Sequence, residues 1–274
     1  MLIFFSFVVT LLMGIGVITW FLPNEGARPT AGRFVLYISL AFGIGVGFTS
    51  IMLFIYLHFF PIKSYPIVEC CVLSVLALVV IVYFRRSLFT LWVPQKSEAM
   101  GLFEKTLAFI FFISLFLACF AFVTYFPIEP HGEWDAWATW NNGARFIYLA
   151  GDNFIPNYKE THETLGMLRT YPMLYPLSTA RAWAYNGEVS QVAPVMFNGL
   201  FVLASIGVVF GLLQTVKSRM AGWFGALFLL GTPFLMLHAL GQYADVPLSY
   251  FFVSTCAVFA MTPDVNNGHE KFML

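Results

Sequence analysis

Residues 106–145 read TLAFIFFISLFLACFAFVTYFPIEPHGEWDAWATWNNGAR. From 106 to 126 there is no charged side chain, and the run is long enough to cross a bilayer as a helix. Then, within residues 131–145, come two carboxylates, three tryptophans and two asparagines. The apolar half decides the fold. Its backbone groups can be satisfied in hydrocarbon only by a helix, because the period-two alternation of a barrel strand is absent.

Similar runs recur outward from it, at about 1–22, 34–59, 67–84, 191–214, 220–240 and 245–262, which makes seven in all. The chain is 59% hydrophobic and 10% charged, with a mean hydropathy of +0.80, so a water-soluble globule is excluded. The expected fold class is all-α: a polytopic transmembrane helix bundle of about seven spans. Residues 1–22 lack a basic leader and the first Lys or Arg is Arg28, so this run reads as a span and not a signal peptide. Formal net charge is zero and no basic stripe exists, which excludes nucleic acid as a partner. Cys70, Cys71, Cys119 and Cys256 all fall inside runs without metal-ligand spacing, so they are expected to be small packing residues.

Charge bias orients the bundle. Connections 23–33, 85–105 and 215–219 carry most of the loop Lys and Arg, whereas 60–66 has only Lys63 and 241–244 has none. Basic loops stay in the cytoplasm, which places the N-terminus outside and the C-terminus inside. The connection 127–190 then lies outside and is too long for a bare link. It is expected to hold amphipathic interfacial helices, at 133–149 and around LRTYPMLYPLSTARAWAYNG.

On an ideal helix Trp134, Trp137 and Trp140 share one broad face with Ala144 and Tyr148, while Asp135, Thr139 and Asn142 share another. Tryptophans alone describe an interfacial anchor. The carboxylates, followed by Asn142 and Arg145, describe a site at the bundle mouth. Asp245, in GQYADVPLSYFF, reads either as the N-cap of the last helix or as a second acid facing the same outer hollow as Asp135.

The block EWDAWATWNNGARF, then YPMLYPL, then YADVPLSYFF at a helix start, resembles the GT-C superfamily of membrane glycosyltransferases. The likeness is to the branch of protein O-mannosyltransferases and lipid A aminoarabinose transferase, and it covers about 106–262. Residues 1–105 are then a three-helix N-terminal membrane extension and 263–274 a polar cytoplasmic tail. The resemblance implies inverting transfer of a hexosyl or pentosyl group from a polyprenyl phosphate carrier to an extracytoplasmic acceptor. It implies that Asp135 is the catalytic base, with Glu133 as the competing acid, and that Asp245 positions substrate or a divalent cation. Asp135 and Asp245 are accordingly the residues a metal would take, with metal dependence left open. Arg145 and Arg181 are expected near the lipid-linked phosphate, Asn142 at the substrate, and Tyr171 with Pro172, Tyr175 and Pro176 in a segment that shapes its binding.

The family core holds more helices than the matching part of this chain supplies, so a longer frame or another membrane polypeptide is expected to complete it. The setting implied is a bacterial inner membrane, with membrane lipids as neighbours. Two other readings stand beside this one: a non-catalytic accessory membrane protein, and a transporter or permease, against which the scarcity of mid-span ionisable residues counts.

Overall fold

The computed structural model describes residues 2–21, 29–84, 92–96, 99–150, 154 and 171–261. Among these residues there are ten α-helices and no strand. In chain order they are α1 (Leu2–Thr19), α2 (Ala31–Tyr56), α3 (Tyr65–Phe84), α4 (Leu102–Tyr125), α5 (Asn141–Leu149), α6 (Leu174–Asn186), α7 (Val192–Val216), α8 (Arg219–Leu230), α9 (Pro233–Leu240) and α10 (Asp245–Met261).

Among the described residues five helices are long and apolar enough to cross a membrane: α1, α2, α3 with its preceding 3-10 turn, α4 and α7. The expected run 220–240 is not one straight helix. It is the pair α8 and α9, bent by 55° at a break, which makes a sixth candidate span if counted as one. Thr232 and Pro233 explain the break, since proline has no amide hydrogen to continue a helix and fits only its first turn. The last run is α10, an apolar helix of 17 residues. Each sequence-expected run therefore coincides with an apolar helix, though not each with a full-length span.

The helices pack through small residues. A Cβ added at Gly14 would strike the carbonyl of Ala41, and one at Gly45 the carbonyl of Thr10, so α1 and α2 approach backbone to backbone. Along its other side α2 meets α7, where Phe42 and Phe201 rings touch edge to face at 5.1 Å. Tyr250 ties α10 to the same helix by donating its hydroxyl to the Ser39 carbonyl at 2.6 Å. Ile3, Phe7, Leu36, Phe201 and Tyr250 all belong to one continuous buried cluster, so the N-terminal helices share a core with the later ones. By contrast α3 and α4 lie at the margins, with only 11% of each span buried by protein. Three of the four cysteines, Cys71, Cys119 and Cys256, face outward and are not the packing residues the sequence suggested.

The long connection departs most from expectation. Where an amphipathic helix with an open face was expected, α6 is enclosed by protein, with every residue from Tyr175 to Tyr185 buried. Arg181 explains this. Its Nε donates to both Glu69 oxygens at 2.8 and 2.9 Å, Nη1 to the Thr10 hydroxyl at 2.8 Å, and Nη2 to the Ser6 carbonyl at 2.9 Å. Tyr185 donates to Glu69 Oε2 at 2.8 Å, and the Tyr65 hydroxyl lies 3.3 Å from Oε1. A buried guanidinium is tolerable only when paired and hydrogen-bonded. Here α1 and α3 supply the partners. The shorter α5 is amphipathic as expected, yet its apolar side goes to protein: Tyr148 meets Trp183 of α6 at 6.1 Å.

Breaking this pair strands a charge. Glu69→Gln is expected to lower stability by roughly 3–5 kcal/mol, and the double variant Glu69→Leu/Arg181→Met to recover most of it. Thermal unfolding of the purified protein in neutral detergent checks this, and a wild-type melting curve for Glu69→Gln would contradict it.

Candidate functional site

At the end of the bundle that holds Glu69, the segment 129–145 is bound to the turn between α9 and α10. Proline 127 closes α4, and the chain then turns at Gly132, whose φ is +72°. Glycine is required there twice over: the left-handed conformation suits it, and a Cβ would lie 2.7 Å from both the Ala136 Cβ and the Gly241 carbonyl. The close approach allows the Glu133 amide to donate to the Gly241 oxygen at 3.1 Å.

Gln242 locks the contact. It is fully buried and holds φ of +61°, a conformation that a non-glycine residue keeps only where surroundings impose it. Its Nε2 donates to the Pro130 carbonyl at 3.3 Å, and its Oε1 accepts from Asn141 Nδ2 at 2.9 Å. Asn141 Nδ2 also reaches the His131 carbonyl at 3.1 Å. These bonds join the WDAW block to the ADVPL block.

Beside this lock the Tyr243 phenol meets one carboxylate directly and feels the charge of two more. Tyr243 donates to Glu133 Oε2 at 2.9 Å. That bond is the main cause that pushes the Tyr243 pKa up to about 12, followed by desolvation and by the charges of Glu133, Asp135 and Asp245. The sequence-expected acids Asp135 and Asp245 thus act on the same group. Asp135 is exposed and its side chain caps no helix. Asp245 is exposed as well and is the first residue of α10, not the residue before it, so its charge sits at the positive helix end without serving as the N-cap. Glu133, the competing acid, is the one held by Tyr243.

The same segment lines an open depression of about 420 Å³ with Glu129, His131, Trp137, Asn142 and Arg145 over the buried Asn141; Glu133, Asp135 and Asp245 are not part of its lining. Asn142 and Arg145 therefore fall together as the sequence suggested. Arg181 does not join them; it is 2% exposed and engaged with Glu69. Tyr171 is half-exposed and sets its ring edge-on against Trp140 at 4.9 Å.

A straight helix would put the three tryptophans on one face. The structure instead makes a π-helical turn over Ala136–Trp140, with the Asn141 amide donating to the Ala136 carbonyl five residues back. The widened turn shifts the phase. Trp134 and Trp137 stay exposed, edge to face at 4.6 Å, while Trp140 turns inward with Ala144, Ile147 and Tyr148. Only two of the three tryptophans can therefore serve as an outward anchor.

Among the described residues no group of three or more His, Cys, Asp or Glu side chains could hold a metal ion. Sequence reasoning passed over Tyr243, Gln242, Glu129 and His131, because GQYA has no charge and the first-turn residues after α4 read as a helix stop. No protein-family model matches the chain, and neither a curated protein nor a solved structure matches it.

Replacing the acceptor on Tyr243 tests the cluster. Glu133→Gln is expected to lower the titration of Tyr243 from about 12 toward its ordinary 10.0, so that the phenol ionises at lower pH. The phenolate absorbance difference between the protein and its Tyr243→Phe form reads this directly. An unmoved midpoint would remove the Glu133–Tyr243 bond from the site.

Proposed function

We propose that this chain is a GT-C-like membrane glycosyltransferase that moves a sugar from a polyprenyl phosphate carrier to an extracytoplasmic acceptor. The observation that carries the reading is the hydrogen-bonded lock that fastens the segment of Asp135 to the turn just before Asp245, two acids widely separated in sequence. Charged groups gathered at the mouth of an apolar bundle are costly unless they serve binding or chemistry. The adjoining depression combines a half-exposed tryptophan, amide groups and a cation, a set suited to a sugar and its phosphate.

In this reading Asp135 takes the proton of the acceptor hydroxyl. The oxygen attacks the anomeric carbon from the face opposite the phosphate, which leaves with the electron pair of its C–O bond. Arg145 meets the growing negative charge of that phosphate. Asp135 is preferred to Glu133 as base because Glu133 already accepts the Tyr243 hydroxyl. Asp245 holds substrate hydroxyls beside it. The carboxylates belong to the extracytoplasmic face, by the charge bias of the loops, with the C-terminus in the cytoplasm of a bacterial inner membrane. Arg181 positions the outer segment from within the bundle and does not touch the carrier.

A general base contributes about 10²–10⁴-fold in rate. Asp135→Asn is therefore expected to lower sugar transfer from a radiolabelled polyprenyl-phosphate donor in isolated membranes by that factor, at unchanged protein level. Full transfer by the variant would withdraw the assignment and leave a lipid-binding accessory role as the reading of this face.

A further inference from the structure

At the floor of the depression that Trp137 and Arg145 flank, one polar atom is left over. Asn141 lines the depression and is only 3% exposed. Its Nδ2 is engaged in the lock, donating to Gln242 Oε1 at 2.9 Å and to the His131 carbonyl at 3.1 Å. Both of those partners are acceptors, which fixes the nitrogen end of the amide and so the oxygen end. Asn141 Oδ1 is buried and has no hydrogen-bond partner among the described residues. A buried acceptor left in this state is destabilising, and folded proteins keep few of them. The lock therefore orients the amide at the cost of an unmet oxygen, in a residue that borders an open hollow.

The walls indicate what could meet it. Trp137 is half-exposed, and Trp134 braces it edge to face at 4.6 Å. The negative face of an indole takes the C–H groups of a saturated ring. Arg145 follows Asn141 by four residues on α5, on the same side of the helix and about 6 Å along its axis. That spacing is comparable to the reach from a ring hydroxyl of a sugar to a phosphate on its anomeric carbon. Inorganic phosphate has no ring to lay on Trp137. A glycosyl phosphate supplies the ring, the anion and the hydroxyl donor together.

We propose that Asn141 is a specificity-determining residue for the sugar: with the ring on Trp137 and the phosphate at Arg145, one ring hydroxyl donates to Asn141 Oδ1. A sugar without that hydroxyl leaves the oxygen unpaired and binds more weakly. The inference rests on the sugar-transfer reading, but its test is equilibrium binding and involves no transfer.

The purified full chain in neutral detergent is titrated by saturation-transfer NMR with the anomeric phosphates of glucose, mannose, galactose and xylose, and then with every monodeoxy analogue of the tightest binder. One of the four is expected to bind, with saturation concentrated on its ring C–H protons, and Trp137→Ala to weaken it by roughly 10-fold. One monodeoxy analogue is expected to bind about 10-fold more weakly than its parent, the loss of a single hydrogen bond. In Asn141→Ala parent and analogue are expected to bind alike, whereas Gln242→Ala, which breaks the lock and keeps Oδ1, is expected to preserve the difference. Failure of all four to bind would overturn the proposal. So would equal binding of every monodeoxy analogue to the wild-type chain, which would assign Oδ1 to a bound water whether or not any variant folds. Discrimination that persists in Asn141→Ala would overturn it as well. Transfer without discrimination would remove the role of Asn141 alone; discrimination without transfer would remove the transferase reading and leave a sugar-phosphate binding site.

Discussion

A guanidinium sealed inside an apolar bundle must be met on all sides, and Arg181 is met by residues from two other helices and from its own. Glu69 comes from α3, Thr10 and Ser6 from α1, and Tyr185 from the helix of Arg181 itself. The bonds that satisfy that one cation hold α6 inside the protein. Once there, α6 forms the floor on which the outer segment rests. Tyr175 receives the Asn198 amide of α7 at 2.8 Å and lies beside Trp140 at 6.1 Å. The ion pair is therefore structural in its immediate effect, and its reach extends through Trp140 to the π-helical turn and the carboxylates.

The outer face is organised by a different device. Backbone and amide hydrogen bonds, not charge, bring 130–141 onto 241–242. This leaves the carboxylates of Glu133, Asp135 and Asp245 with little structural work to perform, apart from the bond between Glu133 and Tyr243. Charged groups that are exposed, clustered and unneeded for folding are available for a ligand.

Much of the fold was legible because a bilayer imposes strong rules on composition. Apolar length alone located the helices, and proline marked where α4 stops, whereas the break at Pro233 inside the run 220–240 went unread. The site was legible in part. WDAW and ADVPL announced Asp135 and Asp245, since acidic residues beside apolar runs are conspicuous. What escaped were contacts between distant, individually ordinary residues. Arg181 was expected near a lipid-linked phosphate, and nothing local says that it meets Glu69 across 112 residues. Nor does any spacing announce that five residues will wind as a π turn and carry Trp140 away from its neighbours. Gln242, neutral and in a short loop, gave no signal of the left-handed backbone it adopts.

The distance in sequence between Glu69 and Arg181 has a bearing on biosynthesis. Translation at about 5–20 residues per second separates their emergence by on the order of ten seconds. During that interval α3 has entered the bilayer with an acid four residues past its first, about 6 Å along its axis. A carboxylate at so shallow a depth can keep its headgroup-level hydration until the guanidinium arrives, whereas one at mid-bilayer could not. The placement of Glu69 near the rim is thus what lets a nascent chain wait for its counter-ion, and insertion of α6 becomes the step that finally dehydrates both.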